Sequence, residues 1–193
     1  MKNIGLFFGT FNPVHIGHLI LANYFAEHSV FEEVWLVVTP QNPFKQKKEI
    51  LDNHHRFEMV KRATEAYPKL HPCSVEFEMP TPNYTFDTLL ELSKKYPSNK
   101  FSLIMGMDNL ASFTKWKEHS RILNDYGLWV YPRKTSKIVP DFLNNHPQIT
   151  VVGAPEVEIA SSKIRKQIKK EKNIRPLLPP ETWQYLDEMK FYR

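Results

Sequence analysis

The chain has 193 residues, 41% of them hydrophobic and 24% charged, with a formal net charge of +5 and a pI of ≈ 9.2. That length buries one full core, or a core with a small appendage, and leaves no room for a second enzyme. The basic excess suits polyanionic ligands, the single cysteine, Cys73, excludes a disulfide framework or a thiolate zinc cluster, and no apolar run reaches the roughly 18 residues of a membrane span. A reducing cytosol is the expected compartment, since the amino terminus lacks the apolar region and small-residue cleavage site of a secretory signal.

Residues 4–8 form a continuous apolar run of the kind that makes a buried parallel strand, and 17–28 read as the helix after it, with Leu19, Ala22, Tyr24 and Phe25 available to its buried side. Between them lies Gly9-Thr10-Phe11-Asn12-Pro13-Val14-His15-Ile16-Gly17-His18. At such a strand-to-helix junction free backbone N–H groups and the positive end of the helix dipole favour anions, and Gly9 would let a phosphate approach the chain. His15 and His18 are three apart, so both rings can turn toward one phosphate and donate to charge that builds up during phosphoryl transfer. Alone, two histidines beside a turn would also suit helix-capping groups; the strand–glycine–turn–helix context favours a nucleotide triphosphate site. No GxxxxGK[ST] occurs, which argues against P-loop chemistry.

Further strands are predicted at 34–38, 75–77, 101–105, 128–131 and 149–152, and helices at 55–66, 86–96 and 120–125. The alternation predicts an α/β fold with a parallel sheet and ligands at the strands' carboxyl ends. Residues 40–48, with two prolines and three lysines, read as a mobile loop over the site. His54 and His55 show no matched acidic or cysteine partner, so no metal site is expected there. Residues 161–172 form a lysine-rich helical segment; Pro176, Pro179 and Pro180 then precede a final helix near 181–189. The chain is therefore expected to be a single domain, with a sheet core over 1–160 and a small helical cap over 161–193.

Several ordered motifs resemble one family. GTFNPVHIGH is similar to the ATP loop of the (H/T)xGH nucleotidyltransferases, and within them PNYTFDT at 82–88, IMGMD at 104–108, TKWKE at 114–118, ASSKIRK at 160–166 and the terminal LLPPETWQYLDEMKFYR resemble bacterial nicotinate mononucleotide adenylyltransferases. The resemblance implies a Rossmann-like, doubly wound sheet and a reaction of ATP with nicotinate mononucleotide, giving deamido-NAD and pyrophosphate with ATP-bound Mg2+. It assigns His15, His18 and Arg165 to catalysis. It places ATP against Gly9, Thr10, Phe11, Gly17, Lys45, Gly106, Asp108, Ser161, Ser162 and Ile164. The acceptor falls to Trp116, as the ring-stacking residue, and to Tyr84, Thr85, Phe86 and Lys117 around the nicotinate carboxylate, chiefly through backbone N–H groups near Phe86 and Lys117. The chain differs from the family pattern in Phe8 for a common glycine, Asn12 for the usual aspartate and Phe44 for a usual histidine.

Rival readings are phosphopantetheine adenylyltransferase, whose chains tend to be shorter and lack the PNYT and terminal elements; a preference for nicotinamide mononucleotide; and a non-catalytic nucleotide sensor. The literal HIGH also occurs in class I aminoacyl-tRNA synthetases, but SSKIR lacks the KMSKS order and no room remains for an anticodon domain. Neither a nucleic acid nor a membrane is expected as a partner, and the sequence leaves the oligomeric state open.

Overall fold

A computed structural model describes residues 1–40, 50–134 and 138–193. Its centre is a six-stranded sheet made of β1 (Asn3–Gly9), β2 (Glu33–Val38), β3 (Leu70–Cys73), β4 (Lys100–Gly106), β5 (Leu128–Tyr131) and β6 (Ile149–Val151). The order is β3-β2-β1-β4-β5-β6 and every pairing is parallel, with Leu6 opposite Trp35 on one side and Leu103 on the other. This is the doubly wound α/β arrangement that the strand–helix alternation predicts.

The period-two geometry of strands divides the apolar residues between two faces. Phe7, Leu36, Val38 and Ile104 join one buried cluster, with Phe25 of α1 (Ile16–His28) and Met59 of α2 (Asn53–Thr64). Ile4, Leu6, Val37, Leu103 and Met105 join the other, with Leu89 of α3 (Thr85–Lys95) and Ile122 of α5 (His119–Tyr126), beyond the one-turn α4 (Met107–Leu110). Both faces are thus covered, as a parallel sheet requires. After the short α6 (Asp141–Asn144), a third cluster of Ile164, Ile168, Ile174, Leu178 and Leu186 ties α7 (Ser161–Ile168) to α8 (Pro180–Glu188). The Thr182 hydroxyl donates to the Met59 carbonyl at 3.4 Å, anchoring α8 on α2.

Two expected elements are corrected. Residues 75–77 are not a strand: Val75–Glu78 is a 3₁₀ turn closed by bonds from Phe77 N to Ser74 O and Met79 N to Glu76 O. The strand beside β2 lies earlier, at Leu70–Cys73, where Leu70 and Cys73 are buried and Pro72 is tolerated because β3 is an edge strand. The lysine-rich helix also ends early, at Ile168. The next turn closes with Lys170 N and Lys172 N both on Gln167 O, and Glu171 takes φ 54°.

One buried cation holds three chain segments together. Arg56 is fully buried on α2, and its guanidinium donates to Leu51 O at 2.8 Å, Thr10 O at 2.7 Å, Thr39 O at 2.8 Å and Asn53 Oδ1 at 2.6 Å. Burial pulls its pKa down to about 10, so it remains charged at neutral pH. Arg56→Ala would strand these acceptors without a donor. We expect it to lower unfolding free energy by about 3 kcal/mol in guanidinium denaturation; a loss below about 0.5 kcal/mol would show the network to be energetically idle.

Candidate active site

The strand order reverses between β1 and β4, which opens a crevice beyond their carboxyl ends. A cleft of ≈ 1070 Å³ lies there. Four buried side-chain atoms without a hydrogen-bond partner, His15 Nδ1, Glu76 Oε2, Asn83 Oδ1 and Asp108 Oδ1, belong to residues that line it. Buried polar atoms cost free energy unless something satisfies them, so a polar ligand is the natural complement.

At one end the β1–α1 loop turns into the first helix. His15 is the residue preceding α1, and its backbone N–H donates to His18 Nδ1 at 3.1 Å. Because Nδ1 accepts that bond, the neutral His18 ring carries its proton on Nε2 and is a donor there. The two imidazoles stack with centroids 3.6 Å apart and planes 19° from parallel. Capping and cleft-lining are therefore two properties of the same pair. His15 is only 5% exposed, and burial first, then the charge of Arg133, drives its pKa down to about 4. Gly17 is required by this stack: a Cβ there would lie 2.8 Å from Val157 Cγ1 and 3.2 Å from His15 Nδ1.

Gly9 has a packing reason beside the one the sequence suggests. The space its side chain would take is held by the Phe11 ring, 2.9 Å from an ideal Cβ, so the glycine makes room for packing. Phe11 is buried at φ 44° and sets its ring edge-on to His18, with centroids 4.9 Å apart. Gly9, Thr10 and Phe11 all line the cleft. Phe8 lines it as well while packing on the second core cluster.

The loop is braced from behind. The Asn12 carbonyl accepts from Arg165 Nη1 at 2.8 Å, the Pro13 carbonyl from Ser161 Oγ at 2.9 Å, and Asn12 Oδ1 from Leu51 N–H at 3.2 Å and Tyr192 O–H at 2.6 Å. Ser161 and Ser162 open α7, so a second helix N-terminus meets the cleft beside that of α1, and Arg165 follows one turn on. Ile164 is displaced from its expected place: its side chain is buried in the C-terminal cluster. Lys45 and most of the 40–48 loop lie outside the described residues.

At the end of β4, Asp108 lines the cleft and pairs with Arg133, Oδ2 to Nη1 at 3.5 Å. Gly106 is not among the lining residues; a Cβ there would sit 2.6 Å from Asp108 Oδ1 and 3.2 Å from Arg133 Cδ, so its bareness positions that pair. Across from it Tyr84, Thr85, Trp116 and Lys117 line the cleft together. Trp116 is half-buried, tilted on Phe113 at 5.7 Å. Lys117 is already engaged, its ammonium 2.8 and 2.9 Å from the Asp87 oxygens and 5.0 Å from the Tyr84 ring centre. The Phe86 side chain turns into the core, 4% exposed, so only its backbone, in the first turn of α3, is available to a ligand.

Sequence reasoning missed Arg133, Glu76, Asn83, Arg56 and Tyr192. Arg133 had a usable signal, a basic residue just past the end of a predicted parallel strand. The others lie inside recognised motifs or predicted elements, Asn83 in PNYTFDT, Tyr192 in the terminal motif, Arg56 in the helix over 55–66 and Glu76 in the stretch 75–77, but nothing in those patterns marks them as buried polar groups. Among the described residues the trio suited to a metal is Asp52, His54 and His55, whose ligand atoms lie within 4.8 Å of one another. It supplies the acidic neighbour that the sequence reading did not find, but none of the three lines the cleft. No helix among the described residues is long and apolar enough to cross a membrane.

Residues 6–167 match the model of the cytidylyltransferase-like family. The chain is 55% identical over 192 residues to a protein of Christiangramia forsetii named "Probable nicotinate-nucleotide adenylyltransferase", covering 100% of this chain and 99% of that one. A Flavobacterium psychrophilum protein of the same name is 53% identical, with 98% of each covered. Among solved structures, nicotinic acid mononucleotide adenylyltransferase of Plasmodium falciparum complexed with NaAD has the same fold, with a TM-score of 0.82 at 22% identity over 100% of this chain and 98% of that one.

The stacked pair carries a pH signature. The unfolded chain protonates His15 near 6.5 while the folded chain resists until about 4, so the unfolded state binds more protons between those values. Stability should be fully present above pH 6.5 and fall as pH drops toward 4, by at most about 3 kcal/mol. Denaturation of wild type and His15→Asn at pH 7 and pH 5 checks this; equal pH dependence in both would assign the loss to other groups.

Proposed function

The chain belongs to the cytidylyltransferase-like family, with the nicotinate-nucleotide adenylyltransferases as its close relatives, and from that premise we propose that it transfers the adenylyl group of ATP to nicotinate mononucleotide, releasing deamido-NAD and pyrophosphate. The observation that carries this reading is the pair of stacked imidazoles at the mouth of the β1–α1 crossover, inside a cleft large enough for two nucleotides.

The acceptor's 5′-phosphate attacks the α-phosphorus in line as pyrophosphate leaves, so the protein's work is positioning and charge stabilisation. His18 donates from Nε2 to the phosphate oxygens and His15, neutral, completes the contact. The N-termini of α1 and α7, with Ser161, Ser162 and Arg165, hold the departing phosphates. The backbone of Gly9, Thr10, Phe11 and Gly17 supports the triphosphate, and Asp108, given room by the bare Gly106 behind it, borders the adenosine. Ile164 acts from the core by fixing α7.

Trp116 stacks on the pyridine ring, and Tyr84 and Thr85 flank it. With Lys117 held by Asp87, recognition of the nicotinate carboxylate rests on the N–H groups that open α3, at Thr85 and Phe86, and on the Lys117 backbone. An array of N–H donors favours the acid over the neutral amide.

Among the described residues the cleft offers no protein ligand set for a metal. The Asn12 side-chain oxygen is taken by Leu51 and Tyr192, and Asp108 faces Arg133. Magnesium therefore enters as the triphosphate's own companion, where it neutralises charge. A cytoplasmic setting accords with the one buried thiol, Cys73.

Pyrophosphate release from ATP should be rapid with nicotinate mononucleotide and slow with nicotinamide mononucleotide or phosphopantetheine; silence with all three would overturn the reading. His18→Ala should lower kcat by roughly 10², whereas an effect confined to the KM for ATP would make the ring a binding group only. Trp116→Ala should raise the KM for the pyridine nucleotide far more than that for ATP. Equal rises would mark the indole as structural.

A further inference from the structure

Two residues that the mechanism leaves idle line the cleft beside the acceptor motif. Glu76, in the 3₁₀ turn Val75–Glu78, is 2% exposed, and Asn83 is 4% exposed. The Glu76 Oε1 accepts from the Thr88 hydroxyl at 2.6 Å, while Oε2 is buried without a partner. The Asn83 amide nitrogen donates to Glu76 O at 3.3 Å and Pro80 O at 3.5 Å, which fixes the carboxamide and leaves Oδ1 buried and unpartnered. Both residues line the cleft next to Tyr84 and Thr85. Two acceptor oxygens in one wall ask for a ligand with donors.

Resting on the activity assigned above, we propose that Glu76 and Asn83 bind the acceptor nucleotide by accepting hydrogen bonds from its ribose hydroxyls. The chemistry of the acceptor singles out that part. Its phosphate and carboxylate are anions that a carboxylate would repel, and its ring is an apolar face taken by Trp116. Only the ribose offers O–H donors, and it offers two of them on adjacent carbons. Burial pushes the Glu76 carboxyl up to about 7, and the Thr88 and Thr39 hydroxyls beside it offset that only in part. Donation by ribose hydroxyls supplies the missing stabilisation of its charged form.

The experiment compares wild type, Glu76→Gln and Asn83→Ala with ATP and three acceptors: nicotinate mononucleotide and its 2′-deoxy and 3′-deoxy analogues. Glu76→Gln preserves the shape of the side chain and a polar partner for Thr88. Each variant should raise the KM for nicotinate mononucleotide about tenfold, the loss of one hydrogen bond to a charged or polar group, and leave the KM for ATP within about twofold. With at least one deoxy analogue the penalty should vanish, since the lost contact is then already absent. Equal penalties on all three acceptors, an unchanged KM for the acceptor, or a joint rise in both KM values would assign the pair to structure and overturn the inference. Wild-type turnover separates the two readings: active wild type with additive losses overturns this assignment alone, whereas wild type inert toward nicotinate mononucleotide overturns the activity and the assignment with it.

Discussion

The site depends on how the β1–α1 loop disposes of its carbonyl oxygens. An anion cannot rest on a loop that presents carbonyls to it, so those groups must be engaged elsewhere. Arg56 takes Thr10 O, Arg165 takes Asn12 O, and Ser161 takes Pro13 O. The donors come from two distant parts of the chain, the first from α2 and the other two from α7. The loop is shaped by its neighbours, and the phosphate end of the cleft exists only once the C-terminal helices have docked.

This arrangement gives Asn12 its meaning. Its neutral carboxamide accepts from Leu51 and from Tyr192 near the chain end. A neutral acceptor suits the triphosphate site proposed above, because it joins the loop to Leu51, just ahead of α2, and to the terminal segment without adding negative charge. The third apolar cluster, centred on Ile164 and Leu186, serves the same end by fixing α7 and hence Ser161 and Arg165.

Electrostatics divide the cleft. Two helix N-termini, His18 and Arg165 gather beside the β1–α1 loop, with the buried charge of Arg56 behind them and Arg133 nearby on Asp108. The acceptor end carries Glu76, Asn83 and a Lys117 already matched to Asp87. In the reaction proposed above, such a gradient orients two nucleotides with their phosphates toward each other and their bases apart.

The sequence determined most of the sheet and the closeness of the histidine pair. Apolar runs such as 101–105 and 128–131 form strands in any parallel sheet, and His15, Gly17 and His18 are close in space because they are close in sequence. It misread 75–77, where Val75 and Phe77 look strand-forming but the edge position was won by Leu70–Cys73 through pairing with β2. Single polar residues such as Arg56, Glu76 and Asn83 sit inside patterned segments whose apolar positions carry the signal, so their own burial could not be read from local pattern. Whether a lone arginine or glutamate is solvated or structural depends on what packs over it, and that is settled by residues 39, 88 and 192, which are distant along the chain. Tertiary structure alone decided which polar atoms were fully bonded and which were left open toward the cleft, because hydrogen-bond satisfaction is a property of the assembled neighbourhood.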